Sequence, residues 1–329
     1  MLKLFKRNMV LQVVLILAVT VVLWWQPLAE PPAISVSNSD GILYSLIAHA
    51  LSSLPLLAVV LAILVLLAEG VALNLILADA KLVPQTTLLP TFLYILCVSA
   101  STDTLSPVLL VCAVLLFFLH KLIIHGTLLT VPTGHICSAT ALISICTMIY
   151  LPSAAFLATY LFIATVFRLY NWRNIAALIL GMAAPYILLV LVLYMTDGLA
   201  TWWQATADSI VGMHPIVSTN NVLLLVANLV LATVIVISLF YLWSKLSEKT
   251  TKWKVNATVV MLTAIGATLM SFCGQLLPLN LAPFAASFAL CGTHLLSTDT
   301  TYSIYDHSKR RHWILESLFI IIILASLIC

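Results

Sequence analysis

Leu54–Leu77 reads LPLLAVVLAILVLLAEGVALNLIL and contains one ionisable side chain, Glu69. A helix of about 20 residues crosses the hydrocarbon core of a bilayer. In hydrocarbon every backbone N–H and C=O must be satisfied within the segment, so an unbroken apolar run of this length predicts a transmembrane helix. A transmembrane β-barrel would instead show alternating segments of about 10 residues.

Runs of the same kind recur on both sides. They predict spans at Met9–Trp25, Leu54–Leu77, Leu88–Ser99, Leu105–Leu119, Gly134–Tyr150, Ser153–Phe167, Asn174–Met195, Val222–Trp243, Val255–Phe272, Leu279–Leu296 and Trp313–Ile328. The expected fold class is therefore all-α, a polytopic transmembrane bundle of about eleven spans forming one domain over residues 1–329. Leu88–Ser99 and Leu105–Leu119 are the shortest runs, and making both re-entrant would leave about nine crossings. Composition agrees. Apolar residues make up 63% of the chain and charged residues 8%, against about 25% charged in soluble domains.

Charge placement orients these spans. With the N-terminus in the cytoplasm, all 14 basic residues fall on the cytoplasmic side, from Lys3, Lys6 and Arg7 through Lys81, Lys121, Arg168, Arg173, Lys245, Lys249, Lys252 and Lys254 to Lys309, Arg310 and Arg311. The opposite side carries Glu30, Asp40, Asp103, Asp197 and Asp208 and no Lys or Arg. This is the positive-inside pattern, and it puts the C-terminus outside the cytoplasm. The basic residues then face anionic lipid headgroups or a cytosolic partner, and nothing in their arrangement suggests nucleic acid.

MLKLFKRN ahead of the first apolar run resembles a signal peptide, but the run ends in Trp24-Trp25 with no small-x-small site before Pro27, which predicts an uncleaved first span. Trp24, Trp25, Trp202, Trp203, Trp243, Trp253 and Trp313 fall at predicted span ends or in interfacial loops, as an aromatic belt does. Gln26–Asp40 is polar and Pro-containing, Gly41–Ser53 is mildly amphipathic, and Thr196–Asn221 reads as a polar loop. The seven Cys form no CxxC pair and read as small apolar packing residues.

From Phe167 the chain reads FRLYNWRNIAALILGMAAPYILL. The Arg, the Asn171-Trp172-Arg173 triplet, Gly181 and Pro185-Tyr186, with Tyr150-Leu151-Pro152 and Leu73-Asn74, resemble the signature of a Bacteroidetes family of multi-pass inner-membrane proteins, a domain of unknown function (DUF6427). The resemblance covers most of the chain. It departs at Gly134-His135-Ile136-Cys137, where the family carries an Asn-Ala or similar pair. It implies an inner-membrane location in a diderm cell and an association with polyprenol-phosphate sugar synthesis, and no established activity.

Several constellations could carry chemistry. Asp40, His49 and Asp103 are candidate catalytic residues on the outer side, an acid and imidazole cluster suited to general-base work. The arrangement resembles polytopic glycosyltransferases that use a lipid-phosphate sugar and keep an acid in the first outer loop. Against this, the leaving phosphate would need a cation that the outer side lacks. Asp197, Asp208 and His214 lie on the same side as candidate binding residues, or as caps and solvated loop residues. Arg168, Asn171, Trp172 and Arg173 could hold a phosphate headgroup or a partner, or form a tight turn with Asn174 as N-cap. Glu69 is a binding candidate because an ionisable group inside a span is costly, and Arg168 is one potential partner. His120, His125 and His135 have a spacing reminiscent of metal ligands, but no acid or Cys completes a site, so interfacial anchoring is expected and no metal is assigned.

The leading expectation is an inner-membrane component of envelope biogenesis that supports or handles a lipid-linked glycan without established catalysis, alongside membrane lipids, a polyprenyl-linked lipid or another envelope membrane protein. The alternatives are a glycosyltransferase using a polyprenyl-phosphate sugar at the periplasmic face and a small-solute transporter, the last motivated by Glu69 and His294 within spans. No cofactor is identified.

Overall fold

The structure is a computed structural model, and it describes residues 9–34, 36–37, 40–84, 87–100, 102–125, 133–166, 171–211, 222–273, 282–297 and 320–323. The helices in chain order are α1 (Met9–Leu23), α2 (Trp25–Ala29), α3 (Ile42–Leu51), α4 (Pro55–Asp79), α5 (Leu89–Ser99), α6 (Pro107–His125), α7 (Thr133–Ile149), α8 (Ala155–Val166), α9 (Trp172–Met195), α10 (Leu199–Val211), α11 (Val222–Lys245), α12 (Thr251–Cys273) and α13 (Ala285–Ser297). Short 3₁₀ turns sit at Leu151–Ala154, Leu246–Glu248 and Ala282–Phe284. Among the described residues the only β-type pairing is an isolated bridge between Asp40 and Tyr150. The class is all-α, as the apolar runs predict. Pro55–Asp79, Trp172–Met195 and Thr251–Ser271 are long and apolar enough to cross a membrane, and shorter apolar helices accompany them.

The helices differ from the predicted runs in informative places. Thr196–Asn221 is not simply a loop, because Leu199–Val211 forms the amphipathic helix α10. The fourth run continues to His125, which places His120 and Lys121 on α6 instead of in a connection. Of the Trp residues expected in the belt, Trp24 and Trp253 turn inward and are buried, whereas Trp25, Trp203 and Trp243 are exposed. Of the last run, 320–323 is helical and the rest lies outside the described residues.

The centre of the bundle is α5. Its 11 residues rise only about 16 Å, near half of a hydrocarbon core, and Leu89 to Val98 are all buried. It packs between α4 and α13. With no face toward solvent, its polar groups pair internally. The Leu88 N–H donates to Gln12 Oε1 on α1 at 2.8 Å. Thr91 Oγ1 donates to the Gly70 carbonyl of α4 at 3.0 Å. The indole N–H of Trp24 donates to Ser99 Oγ at 3.0 Å.

Small residues set the closest helix contacts. Between α7 and α9, a β-carbon at Gly181 would collide with the Cys137 carbonyl and Thr140 Oγ1. Ser144 Oγ donates across the same seam to the Met182 carbonyl at 3.0 Å, in the turn that Pro185 weakens by lacking an N–H. Between α8 and α12, Gly266 leaves equivalent room for Phe156 and Thr159.

Two helices end in the same way. After α9, Asp197 adopts φ 53, its N–H reaches the Tyr194 carbonyl at 3.4 Å, and the Gly198 N–H reaches the Leu193 carbonyl at 2.9 Å. After α4, Lys81 adopts φ 58, with Lys81 N–H to Ala78 O at 2.9 Å and Leu82 N–H to Leu77 O at 2.9 Å. Both are Schellman terminations, a position that favours glycine. Asp197→Gly should therefore raise stability by up to about 1 kcal/mol, while Gly181→Ala should lower it by about 1–3 kcal/mol through overpacking. Thermal unfolding in one detergent measures both, and equal signs for the two would contradict this account.

Candidate functional site: a cleft beneath the α9–α10 turn

Asp40 is positioned by the main chain. The Gly41 N–H donates to the Ile149 carbonyl at 2.8 Å, completing the bridge to the end of α7. Gly41 is required there, because a β-carbon would collide with the Met148 carbonyl. Gly41 is also the N-cap residue of α3, in extended conformation. One turn on, the buried Tyr44 hydroxyl donates to the Leu105 carbonyl at 3.1 Å, fixing α3 against the α5–α6 connection. Asp40 Oδ2 accepts from the Ser37 N–H at 2.7 Å.

The opposite wall comes from α9 and α10. The Schellman turn at Asp197 folds α10 back, and Trp202, Ala205, Thr206 and Asp208 line the cleft with Asp40, Ser37 and Ser45. Tyr186 and Thr147, joined hydroxyl to hydroxyl at 2.7 Å, lie on the same lining. The volume is about 640 Å³, within the range of small-ligand sites. Leu189, Leu193 and Met148 supply an apolar wall, and none of the described lining residues is basic. The half-buried Asp40 carboxyl is pushed up to about 6, because burial disfavours its charged form more than the Ser37 hydrogen bond favours it.

The predicted outer cluster is therefore only partly assembled. Asp40 and Asp208 share the cleft, with Asp197 in the turn that closes it. His49 is exposed in the last turn of α3, nine residues or about 13 Å of helix beyond Asp40. Asp103 is exposed in the α5–α6 connection and is not part of the lining. The trio of Asp40, His49 and Asp103 is thus not one site. Asn171, not Asn174, is the N-cap residue of α9, without a side-chain cap. Trp172 and Arg173 are exposed beside it. Arg168 and His214 lie outside the described residues. Tyr186, Thr147 and Trp202 were not singled out in the sequence as site residues, because each looks like an ordinary span or belt residue until the helices are packed.

Glu69 is buried mid-helix in α4, and its described partner is the Tyr94 hydroxyl of α5, which donates to Oε2 at 3.0 Å. Arg168, the partner the sequence suggested, lies outside the described residues. Glu69 Oε1 and Asn74 Oδ1 are buried without a described partner. Beside Tyr94 and Cys112 lies a cavity of about 20 Å³, room for about one water. No group of three or more His, Cys, Asp or Glu among the described residues could hold a metal ion.

No family model matches the chain, and no curated protein or solved structure shows significant similarity to it.

Two outcomes are expected. Unfolded Asp40 titrates near 3.8 and folded Asp40 near 6. Between these values the folded chain holds more protons, so stability falls as pH rises through the window and then levels off. Thermal midpoints across that range should show the decline in the parent and a shallower one in Asp40→Asn, because burial also raises Asp103, with Gly41 untouched. Tyr94→Phe should leave both Glu69 oxygens unpaired and cost about 1–3 kcal/mol, much of it recovered in Tyr94→Phe/Glu69→Leu. A double-mutant cycle with no coupling would refute the pairing.

Proposed function

We propose that this chain is a multi-pass protein of a bacterial inner membrane, crossing about eleven times, that holds the hydroxyl-rich head of a lipid-linked glycan in the Asp40–Asp208 cleft and does not itself catalyse. The carrying observation is the cleft. Two carboxylates and the hydroxyl-bearing Ser37, Ser45 and Thr206 share the lining with an aromatic ring, Trp202, and an apolar wall. Carboxylates and hydroxyls accept hydrogen bonds from sugar hydroxyls, and an aromatic ring covers the apolar face of a sugar. The exposed apolar side chains of α9, among them Ile187, Leu188 and Leu191, suit the lipid portion.

The inside-cytoplasm orientation of the N-terminus is supported by the sorting of residues between two clefts. The residues that line one cleft fall within 36–37, 40–45, 147–151, 186–193 and 198–208, which charge placement assigns to the outer side or the outer ends of spans. Residues 78–84, 249–253 and 294, assigned to the cytoplasmic side or end, line another. The resemblance to the DUF6427 family is in keeping with the same location.

The lining supports a non-catalytic role. Departure of a lipid phosphate needs a nearby positive charge, and the described lining has none. One observation favours a glycosyltransferase as the second reading, the Asp40 carboxyl near 6, which suits a general base.

Purified protein in nanodiscs, titrated with a polyprenyl-phosphate hexose, should bind it, and Asp40→Asn with Asp208→Asn should weaken binding by about tenfold or more. Binding that is absent, or equal in the variants, would sink the proposal. Release of free polyprenyl phosphate that Asp40→Asn abolishes would move the assignment to the second reading.

A further inference from the structure

A second cleft, of about 700 Å³, lies between the α4–α5 connection, the start of α12 and α13. It sits at the end of α4 away from the α3 connection. Its chemistry is the inverse of the first. Lys81, Lys249, Thr250, Trp253 and His294 line it, and none of its described lining residues is acidic.

The two lysines are placed there by different devices, one acting on the backbone and one on the amine. Lys81 occupies the left-handed position of the Schellman turn, φ 58, where glycine would be less strained. Lys249 places Nζ 5.7 Å from the centroid of the Trp253 ring, a cation–π contact that keeps the ammonium beside the cleft. Trp253 is itself buried, and meets His294 edge to face at 5.2 Å. His294 Nε2 lies 2.8 Å from the Leu82 carbonyl. Asn256 Nδ2 donates to the Ala80 carbonyl at 3.4 Å, tying α12 to the same turn. Three elements are thus cross-braced around a set of cations before any ligand arrives, which lowers the ordering cost of binding. The cleft also opens at the N-terminal end of α12, which carries partial positive charge.

We infer that this cleft is a binding site for a phosphate-bearing anion, with Lys81 and Lys249 as its charge-assisted donors and Trp253 as the wall that fixes Lys249. The inference is independent of the glycan reading, because it uses other residues at another place in the fold. The anion's source is either a membrane lipid headgroup or a soluble phosphate compound.

The test uses full-length protein with two probes. Inorganic pyrophosphate is titrated in neutral detergent, and nanodiscs of phosphatidylcholine are compared with nanodiscs containing phosphatidylglycerol, the readouts being thermal midpoint and native mass. The key variants are Lys81→Gly and Lys249→Gln. Lys81→Gly relieves backbone strain, so a loss of binding in it is not a loss of folding. Stabilisation by pyrophosphate, reduced about tenfold in each variant, identifies a soluble ligand. Retained phosphatidylglycerol and stabilisation by that lipid alone, both lost in the double variant, identify a headgroup. A response to neither probe, or responses unchanged in Lys81→Gly and Lys249→Gln, would overturn the inference. Neither outcome alters hexose binding at Asp40.

Discussion

Helix α5 has no face left for lipid or water, so every polar atom on it must find a partner inside the protein. That requirement organises the bundle. Gln12, Gly70 and Glu69 each receive a hydrogen bond from the α5 segment, and Ser99 receives one from Trp24. In an apolar solvent these ties matter more than leucine burial, because lipid tails and leucine side chains are equally apolar. Glycine seams do the remaining work by bringing backbones within van der Waals reach, as at Gly181 and Gly266.

The same physics separates two chemistries along the fold. The cleft beside Asp40 is lined by acids and hydroxyls, and the cleft beside Lys81 by amines and an imidazole. Both are built where a helix ends in a Schellman turn, at Asp197 and at Lys81. A left-handed residue reverses the chain sharply enough for the next segment to form a wall. The turn residue is polar in both cases, and at Lys81 its side chain is part of the lining.

Much of the helical pattern was legible from hydropathy because a long apolar run has few alternatives to helix. The α10 helix was not, since its run is polar on one face and its periodicity is diluted by Thr and Ala. Glu69 was visible as an anomaly, yet its partner was not, because Tyr94 is an unremarkable residue in an apolar run. The Asp40 cleft was half legible. Asp40 and Asp208 stand out as acids in stretches that contain no Lys or Arg, whereas grouping Asp40 with His49 and Asp103 assumed that residues expected on one side of a membrane also converge. The Tyr44 hydrogen bond to Leu105 shows how near the α5–α6 connection comes to α3 while Asp103 stays outside the cleft.

The bridge between Gly41 and Ile149 is made by main-chain atoms alone. The position of residue 40 is therefore set chiefly by its neighbour's lack of a β-carbon and by backbone geometry, and its own side chain adds one tie, to the Ser37 N–H. Shape and chemistry at this cleft are largely separable. A lineage could exchange the side chain at position 40 and acquire a different ligand preference on a frame that loses only that tie, so long as the glycine beside it is kept.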